Sequence, residues 1–385
     1  MLEQRMLALA ERFTRFSAAE RRALQARMLE QGLSLESLPI PRREDPSEAT
    51  PASHAQQRMW FLWQLEPDST AYNQLAVLLR GQLNVESLRQ SFEALVTRHE
   101  VLRTRFVLQD SQVLQQVEAV ARFELQLLDF SGENGQALAD QEIERQARQA
   151  FDLEQGPLLR ATLLRLDAEQ HVLLFCTHHI VCDAWSLPIL VEEVTHGYAR
   201  LVADAEQAVP APLAVQYADH ARWQRLWLDA GEAQRQLAYW KANLGEEAVN
   251  LELPLDYPRP ASRSARGARV PIALSESLAQ AVRAFAASMG ATPFMVLLAS
   301  FQAVLHRYSG ASDIRIGTPI ANRTRAEVEP LIGFSSIPRY CGHRSMGRCR
   351  SSSWCSRPSS ACSRPRPIRT CRSSTWSMPC SRSAA

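Results

Sequence analysis

Lysine is almost missing from this chain: Lys241 stands alone against 42 arginines, a bias that points to a GC-rich gene. Cysteine is scarce as far as residue 334, where only Cys176 and Cys182 occur. Six more, Cys341, Cys349, Cys355, Cys362, Cys371 and Cys380, crowd the end. No two are spaced Cys-x-x-Cys and no histidine stands at a zinc-finger interval, so neither a metal site nor a disulfide scaffold is expected. Aspartate, glutamate and lysine are absent from Ser335 onward, where ten arginines stand. Without those ten, 33 basic residues face 41 acidic ones, and residues 1–334 carry −8 instead of the whole chain's +2. A nucleic-acid or anionic-membrane function therefore has no support outside the last segment. No apolar run reaches membrane-spanning length, and the opening "MLEQRMLALAERF" has charges in every turn and no signal-peptide apolar centre. The expectation is a soluble, cytoplasmic protein. With 385 residues and 46% apolar content, it can bury a core large enough for two lobes.

The last segment, "FSSIPRYCGHRSMGRCRSSSWCSRPSSACSRPRPIRTCRSSTWSMPCSRSAA", lacks helical or strand periodicity. A disordered basic tail would be poor in Cys and Trp, and this one is not. Codons offer another account. Ser335 to Gly342 can be written TCG TCA ATA CCC AGG TAC TGC GGG. In the neighbouring frame this reads Val-Asn-Thr-Gln-Val-Leu-Arg, a plausible strand continuing "LIGF". Pro367 to Cys380 can likewise be written so that the same frame yields His-Gln-Asp-Leu-Pro-Phe-Glu-His-Leu-Val-Asp-Ala-Leu. Residues 335–385 are therefore expected to be a frameshifted, non-native tail.

Residues 1–45 read as a helical leader, with a capping box at Ser17–Glu20 and Gly32 placed to end the second helix. A Pro- and charge-rich linker follows and includes 46–52. From Ser53 strands and helices alternate: strands at "NQLAVLLRG", "LRTRFVLQ", "FELQLLDF", "LLRATLLRL" and "HVLLFCTHH", helices at "NVESLRQSFEALVTRH", "ALADQEIERQARQAF" and "LPILVEEVTHGYARLVA". A second set holds an extended "ARVPIAL", helices at "ESLAQAVRAFAASMG" and "TPFMVLLASFQAVLHRYSG", and a strand at "DIRIGTPIA". The organisation expected is α/β (α+β), with a first lobe over 53–225 and a partial second lobe over 226–334.

"CTHHIVCDAW" is the stretch that carries chemistry. The apolar run before it makes His178 and His179 the end of a strand. Consecutive strand residues face opposite sides, so only one of the two reaches a given cavity. Zinc is disfavoured because such neighbours cannot chelate one ion. Ser186 can cap the helix that follows, with Pro188 in its first turn. A histidine at a strand end is more often a hydrogen-bonded core residue than a catalyst, so the motif alone does not decide.

The surrounding motifs do more. His178-His179-x-x-x-Asp183 resembles the signature of the condensation domains of nonribosomal peptide synthetases, shared with chloramphenicol-acetyltransferase-like acyltransferases. "SHAQQRMWFL" (Ser53–Leu62), "RHEVLRTRF" (Arg98–Phe106), "YADHARWQR" (Tyr217–Arg225), "IGTPIANR" (Ile316–Arg323) and "IGF" (Ile332–Phe334) resemble that family's other motifs, in order. The shifted frame completes the last of them. The resemblance covers Ser53 to Phe334.

It implies two chloramphenicol-acetyltransferase-like lobes in a V, here with the second lobe incomplete. It also implies amide-bond formation by attack of a carrier-bound aminoacyl amine on a carrier-bound acyl or peptidyl thioester. The domain would bind no cofactor of its own, because the substrates ride on phosphopantetheine arms. Its partners would be an upstream donor and a downstream acceptor carrier protein, with an adenylation domain in the full-length protein. By the resemblance His179 is catalytic, for late proton transfer or a hydrogen bond to the nucleophile, and His178 packs. Asp183 is structural and is expected to pair with Arg103, with Ala184 and Trp185 completing the motif. Ala184 stands where the family usually has Gly, which would be strained only at φ > 0. The histidines exclude the cyclising branch, "AWSLPIL" is unlike the epimerising one, and "RHEVLRTRF" leans towards an L-configured donor. A non-catalytic carrier-docking fragment and a CoA-dependent acyltransferase are the competing expectations.

Overall fold

The computed structural model describes residues 2–67, 72–121, 123–203, 212–245, 250–260 and 270–344. The expectation for residues 345–385 falls outside them. Two compact units emerge. One comprises Met1–Arg235 and Ala321–Ser336; Gln236–Ile320 and the strand beginning at Ile337 belong to the other. This corrects the expected boundaries. The first unit runs on past residue 225 to Arg235, and residues 321–336 return to it, where their hydrogen-bond partners lie.

The first unit begins with helices α1 (Leu2–Arg15) and α2 (Ala18–Glu30). The Ser17–Glu20 capping box forms, and Gly32 at φ +71° lets the Leu33 N–H reach back to the Met28 carbonyl at 2.8 Å. The leader is no loose appendage. Phe13, Leu35, Leu38 and Ile40 pack with Trp223 and Trp227 into one buried cluster. The linker is not free either: Thr50–Pro51 forms a short strand, β1, and Arg43 is buried. Arg43 bridges the Glu100 and Asp219 carboxylates, with Nε 2.9 Å from Asp219. A buried guanidinium held by two carboxylates ties the leader to two distant segments, and losing one partner would strand a charge.

Next come α3 (His54–Leu65), β2 (Tyr72–Arg80), α4 (Val85–Arg98), β3 (Thr104–Gln109), β4 (Gln112–Val117), β5 (Leu125–Asp129), α5 (Gly135–Ala147), β6 (Leu159–Arg165), β7 (Gln170–His178), α6 (Ser186–Val202) and α7 (Tyr217–Trp227). Strands β1, β4 and β3 form one sheet, and β2-β7-β6-β5 form another, antiparallel except for parallel β5 and β6. Strand β7 is buried from His171 to His178. Such a strand needs apolar residues on both faces, which is why "HVLLFC" shows no alternation. Phe175 meets Phe92 of α4 at 6.5 Å on one side, while Val172 clusters with Leu164 and Ala139 of α5.

The second unit takes α8 (Ala233–Leu244) from Gln236 onward, followed by α9 (Glu276–Ser288), α10 (Pro293–Ser309), β8 (Asp313–Ile320) and β9 (Ile337–Arg344). Thr292 caps α10 and Pro293 fills its first position. Of the extended "ARVPIAL", residues 268 and 269 lie outside the described residues, and 270–274 carry no regular element. Strand β9 forms inside the segment that lacks strand periodicity in its sequence. It runs antiparallel to β8, from Ile320↔Ile337 to Asp313↔Arg344. Ladder bonds come from the backbone, so a side-chain pattern without periodicity does not prevent them.

Two buried histidines make acid stability predictable. Burial, with the neighbouring His179, pushes His178 down to about 3, and burial, with Arg325 and Arg323, pushes His220 down to about 3. Both are neutral in the fold, while the unfolded chain protonates them near pH 6.5. The stability they confer is present above pH 6.5 and is lost as pH falls towards 3, at up to about 1.4 kcal/mol per pH unit for each. Urea midpoints should therefore drop between pH 6.5 and 4.5, and His220→Leu should flatten that slope. An unchanged slope would contradict this assignment.

Candidate active site

His178 closes β7 and His179 lies in the turn that follows. The His178 ring is buried edge-on against Phe151 at 6.1 Å, and its Nδ1 accepts the Ile180 N–H at 3.1 Å. His179 is only partly buried. Its Nδ1 sits 3.3 Å from the Cys182 carbonyl, which can only accept, so the proton is on Nδ1 and Nε2 carries the lone pair. Burial lowers the His179 pKa, with the Cys182 bond and the Asp183 charge opposing it. The ring is therefore a neutral base at pH 7.

Asp183 is the hub behind this turn. Its Oδ1 accepts the Ser186 N–H at 3.0 Å and the Ser186 hydroxyl at 2.8 Å, so Asp183 caps α6. That corrects the expected Ser186 cap: Ser186 is the first helical residue, and its Oγ lies 3.1 Å from the donating Gly333 N–H. Asp183 Oδ2 accepts the Ser335 N–H at 3.1 Å and the Ser336 hydroxyl at 3.2 Å.

The expected Arg103 partner is also corrected. Arg103 donates to the Glu118 and Thr97 carbonyls, whereas Arg323 lies 3.3 Å from Asp183 and 2.9 Å from Ser186 Oγ. Arg103 leads into β3 and is held at that strand's start, whereas Arg323 arrives on the returning segment 321–336, a closure that sequence distance hides. Arg323 lies in the quoted "IGTPIANR", so the need of a buried carboxylate for a cation could have directed attention there. Ala184 is not among the described non-glycine residues at positive φ, so its methyl is not strained. The Trp185 indole donates to the Glu329 carbonyl at 3.1 Å.

The remaining motifs converge on the same place. Ser53 caps α3, and its Oγ lies 2.9 Å from the Tyr217 hydroxyl, which in turn donates to the Phe334 carbonyl. The Gln56 amide donates to the Ile180 carbonyl at 3.3 Å. His99 and Arg98 both hold Glu193 of α6. The Phe334 ring lies 6.3 Å from the His179 ring, and the Arg58 guanidinium stands 5.9 Å from its centroid. Gly333 is needed where it stands, since a Cβ there would lie 2.0 Å from Cδ2 of Tyr217. Gly333→Ala should therefore lower the melting temperature of the first unit and disturb the His179 NMR signals. Wild-type values for both would refute the role assigned to this contact.

The model of the condensation domain family matches residues 47–337. The chain belongs to the condensation domain family. It is 42% identical over 295 residues to malpibaldin synthetase of Mortierella alpina, a match covering 76% of this chain and 5% of that protein. It is 41% identical over 301 residues to phosphinothricin tripeptide synthetase PhsC of Streptomyces viridochromogenes, covering 77% of this chain and 27% of that one. The condensation domain thus spans a small part of these synthetases. Among solved structures, the X-domain from teicoplanin biosynthesis superposes with a TM-score of 0.75 at 26% identity, over 83% of this chain and 71% of that one. The first condensation domain of the calcium-dependent antibiotic synthetase superposes with a TM-score of 0.65 at 22% identity, over 82% and 75%. The mixed helix and sheet architecture is that of the chloramphenicol-acetyltransferase-like fold. Condensation domains of nonribosomal peptide synthetases form amide bonds between carrier-bound substrates within multidomain enzymes. No single described helix of this condensation domain is long and apolar enough to cross a membrane.

Proposed function

We propose that this condensation domain, with its reading frame restored after Phe334, joins a carrier-bound aminoacyl amine to a carrier-bound acyl or peptidyl thioester. The observation that carries the reading is the partly exposed, neutral His179, with its proton on Nδ1 and its Nε2 lone pair uncommitted among the described residues. The amine nitrogen bonds to the thioester carbon, the C–S bond breaks, and the proton leaving the nitrogen passes by way of His179 to the departing thiolate. An α-amine has an ordinary pKa of about 8, so about a tenth is already neutral at pH 7. Orientation and late proton removal then matter more than a strong base. His178 and Asp183 hold the turn, and Ala184 and Trp185 continue it. The substrates arrive on phosphopantetheine arms of upstream and downstream carrier proteins, in a cytoplasmic synthetase that also contains an adenylation domain. The family match stops at Ile337, which supports a frame break close to Phe334.

The test mixes the frame-restored protein with a loaded donor carrier and a loaded acceptor carrier. Dipeptidyl thioester on the acceptor is expected. Carrier binding without product would instead favour a docking module, a second reading motivated by the teicoplanin X-domain, which is solved in complex with OxyB.

A further inference from the structure

Residues 331–336 form neither helix nor strand, yet Leu331 to Ser335 are all buried. Irregular backbone ordinarily stays at the surface, because inside a protein its polar groups must find partners. Here side chains supply them, one backbone group after another. The Ile332 N–H donates to His99 Nδ1 at 3.4 Å, and His99 Nε2 in turn lies 3.1 Å from Glu193. The Gly333 N–H donates to Ser186 Oγ at 3.1 Å, and the Arg323 guanidinium donates to the Gly333 carbonyl, also at 3.1 Å. The Tyr217 hydroxyl donates to the Phe334 carbonyl, and the Ser335 N–H to Asp183 at 3.1 Å. That last bond uses a backbone group, so it does not depend on which residue stands at 335. Phe334 is held through its own carbonyl and through both of its neighbours.

A backbone fixed in this way fixes the ring it carries. The Phe334 ring is 7% exposed and lies 6.3 Å from the His179 ring, tilted by 49°. His179 itself is partly exposed, and its hydrogen bond among the described residues is the 3.3 Å contact between Nδ1 and the Cys182 carbonyl. The second side-chain torsion of a histidine is broad and roughly two-fold. A half-turn would put Cδ2 against that carbonyl, release Nδ1 and let the proton settle on Nε2, where it blocks the lone pair. A fixed aromatic ring beside the imidazole opposes that turn. We propose that Phe334 is a positioning residue for amide formation, acting through the His179 ring to keep the proton on Nδ1 and the lone pair on Nε2. This role rests on the reading of His179 as the carrier of the amine proton.

The first measurement needs no substrate. NMR of the 385-residue chain with nitrogen-labelled histidine should show His179 protonated on Nδ1 and bare on Nε2 above neutral pH. Phe334→Leu keeps apolar bulk without the flat ring, and Phe334→Ala removes both. Each should mix the two tautomers, Ala more than Leu, and Leu carries the test if the Ala variant does not fold. Each should also raise the His179 pKa towards its ordinary 6.5, since burial is the largest cause of its lowering. The charges around the turn, Asp183 with Arg323 and Arg58 beside the Phe334 ring, stay in place, so the shift reports on lost cover. Tyr217→Phe, which frees the Phe334 carbonyl, should move the same signals in the same direction by less.

Rates are then compared in the frame-restored protein with both carriers loaded. Phe334→Ala should lower kcat about ten- to a hundredfold and leave KM nearly unchanged, since misplacing a reacting group by about 1 Å costs up to about 10²-fold. Phe334→Leu should recover part of that loss. His179→Ala combined with Phe334→Ala should be no slower than His179→Ala alone, because the phenyl ring acts only through the imidazole. A wild-type tautomer in both Phe334 variants, a fall in kcat with unchanged His179 signals, or a further loss in the double variant would each overturn the role. Should His179→Ala keep its rate, the catalytic reading falls and any rate effect of Phe334 through His179 falls with it. The tautomer effect is still decided on the 385-residue chain.

Discussion

His179→Ala in the frame-restored protein is expected to slow amide formation by about 10²- to 10⁴-fold, the usual contribution of a positioned acid–base group. The melting temperature should hardly move, because His179 is partly exposed and its polar contact among the described residues is to the Cys182 carbonyl at 3.3 Å. His178→Ala should behave differently and lower stability as well, since it empties a buried site against Phe151. The pH profile separates the two roles open to His179. Its pKa lies below the ordinary 6.5 because burial disfavours the imidazolium. If it carries the proton, kcat/KM should be flat near neutrality and fall on the acid side, with an apparent pKa under about 6.5. A loss near 10²-fold with little pH dependence would indicate positioning of the amine. Near-normal single-turnover condensation by His179→Ala would remove the catalytic assignment.

Asp183→Ala should be the most destabilising single change in the site. It removes acceptors from the Ser186 and Ser335 backbone and from two hydroxyls, and leaves Arg323 buried without its carboxylate. Breaking one side of a buried pair costs about 3–5 kcal/mol. For a unit of this size that is a fall of about 6–20 °C in melting temperature. Arg323→Ala should cost a comparable amount, although its contacts to the Val328 and Gly333 carbonyls go too. The double variant should be clearly less damaged than the sum of the two singles, since the second change removes the stranded charge. Thermal melts of the four proteins measure this directly. Strict additivity would mean that Asp183 and Arg323 act independently, and Arg103→Ala, by contrast, should show no coupling to Asp183→Ala.

Much of the secondary structure was legible because local rules act within a few residues. The Ser17–Glu20 box, the 3.6-residue periodicity of α4 and α6, and the turn residues around β2 and β6 all say where an element starts and stops. The apolar run of β7 announced a strand, and adjacent histidines at its end announced that they would face opposite sides. Strand β9 was not legible, because its pairing uses backbone groups that every sequence carries. Nor were the unit boundaries, which depend on a segment returning to the first unit after an excursion of 85 residues, Gln236–Ile320.

The composition, the ordered motifs and the charge break after Phe334 were determined by the sequence alone, since each is a property of residue types and spacing. The family membership rests on those same motifs. Tertiary structure decided which cation meets Asp183, which side chain caps α6, and which ring nitrogen of His179 holds its proton. It also decided that the leader is core and that Ala184 is unstrained. Those outcomes depend on groups far apart in the chain competing for the same donors, acceptors and buried space, and only the closed fold sets the distances that settle the competition.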